Sequence, residues 1–276
     1  MMNISLSISI VLFKPKIETL SRLFLALKAA IDEFYKQGLL DLHVYLIDNS
    51  VCLNENTLVK DLADKFFLDA KNVSFSFLNN QKNLGYGAGN NLAIMRSQSK
   101  YHVIMNPDVF VDRYALLNAI QYMEAHPDVG LLAPSIYSED GDRQFLCKKN
   151  PTIFDMYLRG FAPRFIKNLF SRRMLEFEMR DKDYGGEMRD VPFLSGCFMF
   201  MRTDVLKKLN GFDEDFFLYF EDADLSRRLL DISHSAYVPQ VKIVHQWARE
   251  SQKKLKMLWI FIKSALLYWK KHGGLY

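Results

Sequence analysis

Three cysteines in 276 residues, Cys52, Cys147 and Cys197, are too scattered for a disulfide framework or a zinc knuckle. Their odd number also fits a reducing, cytoplasmic compartment. The opening MMNISLSISIVLF lacks the basic front of a secretory signal and alternates as a strand does. No stretch reaches about 18 uninterrupted apolar residues, so no membrane-spanning helix is expected. Internal repeats, low-complexity linkers and long polar tracts are absent, which speaks against disorder. Neither sign of charge dominates, the formal net charge being +4. What is present is 49% hydrophobic and 14% aromatic residues, enough for one generous core or one domain with an appendage.

The first hundred residues alternate in type. Residues 7–13, 43–47, 73–78 and 101–105 read as strands, and 17–35, 57–67 and 89–97 as helices. That alternation predicts an α/β fold with a mainly parallel sheet covered by helices on both faces. Ligands collect at the carboxyl ends of such strands. Polar residues stand there in series: Lys14, then Asp48-Asn49-Ser50, then 79–83, then Asp108. Beyond a helix at 112–125 the pattern loosens. Residues 148–180 interleave arginines and lysines with phenylalanines, 191–201 are tightly apolar, and 203–209 read as a short helix. A strand is expected near 236–238 and again at 241–244, and a long helix over 253–271.

Several clusters could carry chemistry. Gly85-Tyr86-Gly87-Ala88-Gly89-Asn90 sits between a strand and a helix, but Asn90 occupies the sixth position of a dinucleotide fingerprint, where Gly or Ala is needed. A Rossmann dehydrogenase is therefore not expected. The cluster is either a turn or, with Lys82, Asn83 and Asn91 around it, a loop that contacts a nucleotide. Asp108 could ligate a hard divalent cation or cap the next helix. His245 could be a second ligand or a satisfied polar residue. In FFLYFEDADLSRRLL, residues 216–230, three acids precede two arginines. Acid-first, base-last order suits the helix dipole, each charge contributing about 0.3–1 kcal/mol, and one of the acids could equally be a catalytic base.

Taken in order, SIVLFKP, LIDNS, NLGYGAGNN, IMNPDV, FLSGCFMFMRTDVLKKLNGFDEDFFLYFEDADLSRRL and VPQVKIVHQWARES span roughly residues 5 to 250. This ordered set resembles the inverting family 2 glycosyltransferases, in particular the rhamnosyltransferase-like branch that builds bacterial surface polysaccharides such as O-antigen. The resemblance implies a GT-A fold over residues 1–250, with 1–112 holding a nucleotide-sugar and 113–250 the acceptor, and an amphipathic helix over 251–276. It implies Asp48, Asn49, Asn83, Gly85 and Asn91 in the nucleotide pocket, together with Phe13, Lys82 and Asn106. It implies Mg2+ or Mn2+ held by Asp108 and His245, with Asn106 replacing the first carboxylate of the family's Asp-x-Asp. The Glu-Asp pair of the family falls on Glu221 and Asp222, Asp222 being the base and Glu221 its neighbour at the acceptor.

The donor implied is a dTDP- or UDP-sugar, rhamnose first, and the acceptor a lipid-linked saccharide. A UDP-hexosyl- or galactofuranosyltransferase of the same fold is an alternative. A sugar-phosphate nucleotidyltransferase is another, although its Gly-, Arg- and Lys-bearing loop is missing after the first strand. A non-catalytic sugar-nucleotide-binding protein is a third. In 253–271, an apolar stripe with lysines every seven residues fits a core-packing helix or an interfacial one, at the cytoplasmic face of an inner membrane. The same face leaves a homo-oligomer open. No nucleic-acid motif is present.

Overall fold

The alternation in the first hundred residues becomes four parallel strands. In this computed structural model the described residues are 4–36, 40–50, 53–67, 70, 72–246 and 255–273. Strands β1 (Ile4–Leu12), β2 (Leu40–Asp48), β3 (Val73–Asn79) and β4 (Tyr101–Met105) pair in the order β3-β2-β1-β4. Leu12 lies opposite Asp48, and Asp48 opposite Asn79, so the polar strand ends are in register. Helices α1 (Ile17–Tyr35), α2 (Leu53–Phe67) and α3 (Tyr86–Arg96) return the chain between them.

The two faces of β1 differ. Leu6, Ile8, Ile10 and Leu12 join the larger apolar core with Leu23 and Phe24 of α1. On the other face Ser7 and Ser9 are buried and grip the imidazole of His102, at 2.7 Å on Nδ1 and 3.0 Å on Nε2. Burial, and secondarily the Lys207 ammonium, drives His102 down to about 3, so the ring is neutral and serves as a hydrogen-bond bridge.

After β5 (Val109–Val111) and α4 (Ala115–Ala125) comes β6 (Val129–Tyr137), then short strands β7 (Arg143–Gln144) and β8 (Cys147–Lys148). Helices α5 (Ile153–Gly160), α6 (Arg164–Leu169) and α7 (Ser171–Phe177) follow, then β9 (Met188–Arg189), β10 (Phe193–Leu194) and β11 (Phe198–Arg202). The chain closes with α8 (Thr203–Lys208), α9 (Glu221–Leu230), β12 (His234–His245) and α10 (Leu255–His272). The sheet continues β4-β11-β6-β12-β5, with β11 antiparallel to both neighbours and β6 parallel to β12. One sheet thus runs through both halves of the sequence.

Three departures from the sequence expectation have physical causes. Strand β6 was not anticipated, because Pro134 sits in its interior and a proline cannot donate to a central ladder. The partner strand solves this: β12 bulges between Val238 and Lys242, just after the Pro134–Val238 pair. The same bulge makes one twelve-residue strand look like two short ones in the sequence. The irregular basic stretch is three short helices, the first fixed by a capping box in which Thr152 and Asp155 bond each other's backbone.

Helix α10 packs on α9 and the segment before it. Tyr268 and Ala265 are buried, Ser264 Oγ donates to the Leu218 carbonyl (2.8 Å), and Trp269 Nε1 donates to that of Pro151 (2.9 Å). Its other face stays open, with Trp259 71% exposed. Asp224, fully buried on α9, anchors the end of α10: it receives Arg228 Nε at 2.7 Å, Lys271 Nζ at 2.7 Å and His272 Nε2 at 2.7 Å. Asp224→Asn leaves Arg228 and Lys271 without their counter-charge. The expected loss is about 3 kcal/mol, read as a lower urea midpoint at unchanged denaturant slope.

Candidate active site

Strands β1, β2, β3, β4, β6 and β12 share one direction, so their carboxyl ends meet at one edge, and antiparallel β11 begins there. Phe13, half exposed, follows β1, and buried Asp48 and Asn49 end β2. The Asp48 carboxylate accepts the Ser50 N–H (2.7 Å) and Asn49 Oδ1 accepts from Asn80 (2.8 Å), so the β2 end is a fixed turn. Lys82 and Asn83 are exposed at the rim; Asn83 Oδ1 takes the Gly85 N–H at 2.9 Å.

Asp108 and His245 converge at this edge. The β12–β5 ladder pairs His245 with Val109, and Gln246 N donates to the Asp108 carbonyl at 3.0 Å. His245 Nε2 lies 3.6 Å from Asp108 Oδ1, an oxygen that is buried and without a hydrogen-bond partner. Gln144 Oε1 is 3.2 Å from the other ring nitrogen, Nδ1. The tautomer with Nδ1–H donating to Gln144 turns the Nε2 lone pair toward the orphaned carboxylate oxygen. An orphaned oxygen facing a nitrogen lone pair fits a divalent cation between them. Among the described residues no cluster of three or more His, Cys, Asp or Glu forms. Two protein ligands suit a magnesium-type ion that shares its shell with substrate phosphates.

The loop 195–197 connects this pair to the acids of α9. Asn106 N donates to the Cys197 carbonyl (2.9 Å) on one side, and Gly196 N donates to Asp222 Oδ2 (2.9 Å) on the other. Asp222 and the strand end that carries Asn106 are therefore tied to the same short loop. The Asp108 and Asp222 carboxylates help raise the Cys197 thiol to about 12, although burial is the main cause.

Glu221 and Asp222 are adjacent yet differently placed. Glu221 is buried with Oε2 unpartnered, and burial, then the Asp222 charge, pushes it well above the usual carboxylate range. Burial raises Asp222 as well, but the Gly196 N–H, the Lys148 charge and the Ala223 N–H hold it back. Asp222 thus has N–H donors and a cation around it that Glu221 lacks. Two successive left-handed residues, Tyr219 (φ 69°) and Phe220 (φ 66°), launch the helix, an unusual conformation for aromatic side chains that aims its first turn at the loop.

The glycine cluster is a contact surface within α3 and its N-terminus. Gly85 has φ +88°, and a Cβ there would lie 2.1 Å from the Phe217 carbonyl oxygen. At Gly87 a Cβ would meet Phe212 at 2.8 Å. Asn91 spends its amide on the same segment, donating to the Phe212 carbonyl and the Glu214 carboxylate and accepting the Phe212 N–H. The structure thus brings Phe13, Asp48, Asn49, Asn106, Asp108, His245 and the acids to one edge, while Gly85 and Asn91 engage the 211–217 segment. Sequence reasoning missed Tyr86, whose hydroxyl donates to the Gly196 carbonyl at 2.6 Å. Its place among glycines disguised it as a spacer.

The model of Glycosyl transferase family 2 matches residues 22–209. An N-acetylglucosaminyl-diphospho-decaprenol L-rhamnosyltransferase of Mycobacterium tuberculosis is 26% identical over 181 residues, covering 61% of this chain and 58% of its own. Rhamnosyltransferase WbbL of Escherichia coli is 25% identical over 171 residues, 58% of this chain and 60% of that one. The chain thus matches about three-fifths of the length of these relatives. Among solved structures, S. aureus TarS superposes with a TM-score of 0.57 at 16% identity, over 90% of this chain and 37% of that chain. GalNAc-T7 with UDP, GalNAc and Mn2+ superposes with a TM-score of 0.62 at 13% identity, over 90% of this chain and 44% of that chain. The fold is the GT-A fold expected from the sequence.

At Gly196 an added Cβ would stand 3.0 Å from the Asp222 Cβ. Gly196→Ala is expected to displace the Asp222 carboxylate by a few tenths of an ångström. Turnover should fall roughly tenfold at unchanged unfolding midpoint, since small misplacements of reacting groups are costly; steady-state kinetics beside thermal melts check this.

Proposed function

The chain belongs to Glycosyl transferase family 2, and from that premise we propose that it is an inverting transferase moving a sugar, rhamnose first, from a dTDP- or UDP-sugar to a lipid-linked saccharide. The observation that carries this reading is that one loop, 195–197, bonds Asp222 through Gly196 N and the strand end at Asn106 through the Cys197 carbonyl. The named activities of the two curated relatives support rhamnose, and that of the mycobacterial one supports a polyprenyl-diphosphate acceptor. Family membership leaves the nucleotidyltransferase alternative without support.

In this reading the nucleotide lies along the ends of β1 to β3, against Phe13, Asp48, Asn49, Lys82 and Asn83, with Asn106 nearer the sugar. Asp222 takes the proton of the acceptor hydroxyl as that oxygen bonds to the anomeric carbon. The bond from this carbon to the diphosphate oxygen breaks, its electron pair leaves with the diphosphate, and the configuration inverts. Glu221, neutral beside it, donates a hydrogen bond at the acceptor. Asp108 and His245 would hold a magnesium or manganese ion, which neutralises charge on a diphosphate.

The acceptor half, from 113 onward, also offers a surface for a lipid-borne substrate. Phe161, Phe165 and Leu169 are exposed, the last 79%, among Arg164, Lys167 and Arg172. Apolar side chains ringed by cations suit an anionic bilayer, at the cytoplasmic face of an inner membrane. No described helix is long and apolar enough to cross one.

Two experiments test the proposal. A panel of nucleoside diphosphate sugars, assayed for nucleoside diphosphate release with and without Mn2+, should single out one donor and show metal stimulation. Asp222→Asn should cut the rate roughly 1,000-fold; unchanged turnover removes the base assignment, and no turnover with any donor removes the substrate reading. Separately, the protein should sediment with phosphatidylglycerol vesicles more than with phosphatidylcholine vesicles. Phe165→Asp with Leu169→Asp should abolish that difference, and binding indifferent to lipid charge would contradict the membrane reading.

A further inference from the structure

Lys148 is a buried cation that the transfer steps above do not use. The residue is 7% exposed, and its Nζ sits 4.9 Å from the centre of the Phe193 ring. Among the described residues the ammonium makes no hydrogen bond and no ion pair, although it has three donors to offer. A buried charge with so little direct compensation is expensive to keep, and in the sequence nothing separates it from its exposed neighbour Lys149. Burial lowers its affinity for a proton to a midpoint of about 8, which still leaves it largely charged at neutral pH.

Its position is set by a small ladder. Strand β8 pairs antiparallel with β10, Lys148 opposite Phe193 and Cys147 opposite Leu194. Leu194 in turn exchanges hydrogen bonds with Ser226 Oγ of α9, and two residues on, Gly196 N holds Asp222. The ladder and α9 are thus stitched together on either side of the acid pair. The groups facing Asp222 are Glu221 on its own helix, Tyr86 from α3, Cys197 from the loop, Tyr268 from α10 and Lys148 from β8. Of these only Lys148 is a cation. The ammonium itself is faced by Asp222, Glu178 and Cys197, and by Arg159 of α5.

We propose that Lys148 is a positioning residue for the transfer reaction: the β8–β10 ladder holds its ammonium on the Phe193 ring, next to the Leu194–Ser226 bonds that fasten α9, as a counter-charge for the Asp222 carboxylate that takes the acceptor's proton. The inference rests on Asp222 being the base. It explains why a cation is retained in an apolar setting, since a carboxylate next to a second acid and out of water would otherwise hold its proton.

The experiment is the pH dependence of kcat/KM for full-length wild type, Lys148→Met, Lys148→Gln and Lys148→Arg, with Asp222→Asn as reference. In both neutral variants the acid limb should move up by about one pH unit or more, with the rate recovering toward wild type at high pH. Lys148→Arg should keep the wild-type limb. A rate lowered equally at every pH, a rise in acceptor KM with the limb unmoved, or loss of the fold in both neutral variants would overturn the proposal in favour of substrate contact or packing. A wild-type acid limb that persists in Asp222→Asn would instead remove the base assignment beneath it.

Discussion

The close approach of α3 to the segment 211–221 is the contact on which the rest of the site depends. Gly85 and Gly87 leave room for the Phe217 carbonyl and the Phe212 side chain, and Asn91 ties its amide into the same backbone. The Tyr86 N–H donates to Phe217 (3.0 Å) while its hydroxyl reaches Gly196. One helix start from the first half of the chain therefore locates both the acid-bearing helix and the loop beneath it. Side chains at those glycines would push the two halves apart, and Asp222 would lose its register against Asp108.

Upon that contact an electrostatic gradient is built. Adjacent carboxyl groups on one helix turn would ordinarily share a fate. Here the first is enclosed and unpartnered, the second is gripped by a backbone N–H and lies in the field of a cation, and the third, Asp224, is paired with Arg228 of the same helix and with Lys271 and His272 of α10. The left-handed Tyr219 and Phe220 are the strain accepted to face the first two forward, and the aromatic packing of Phe220 against Phe261, Tyr268 and Trp269 holds them there.

Much of this was legible in the sequence where local pattern and tertiary role coincide. The period-two strands of the first half, their polar ends and the acid-first helix each carry a signal in consecutive residues. Strand β6 did not, because the bulge that tolerates Pro134 lies about a hundred residues away on β12. Asn91 read as a pocket residue since an asparagine in a glycine-rich loop suits a nucleotide as well as it suits backbone. Asp224 stands in the same acid run as Asp222, and its partners Lys271 and His272 lie nearly fifty residues downstream, where no spacing rule reaches them. Lys148 and Lys149 are indistinguishable until a strand ladder turns one inward.

The seat of α10 on α9 bears on how the molecule is made. Residues 265, 268, 271 and 272 cover the back of the helix whose front carries Glu221 and Asp222. On the ribosome, every strand of the sheet emerges before these residues do. The sheet and its carboxyl edge are complete at a time when α9 still shows an uncovered aromatic patch and Asp224 has Arg228 but not yet Lys271 or His272 as a partner. The seating of α10 therefore follows completion of the sheet, and until then the apolar surface of α9 stays uncovered.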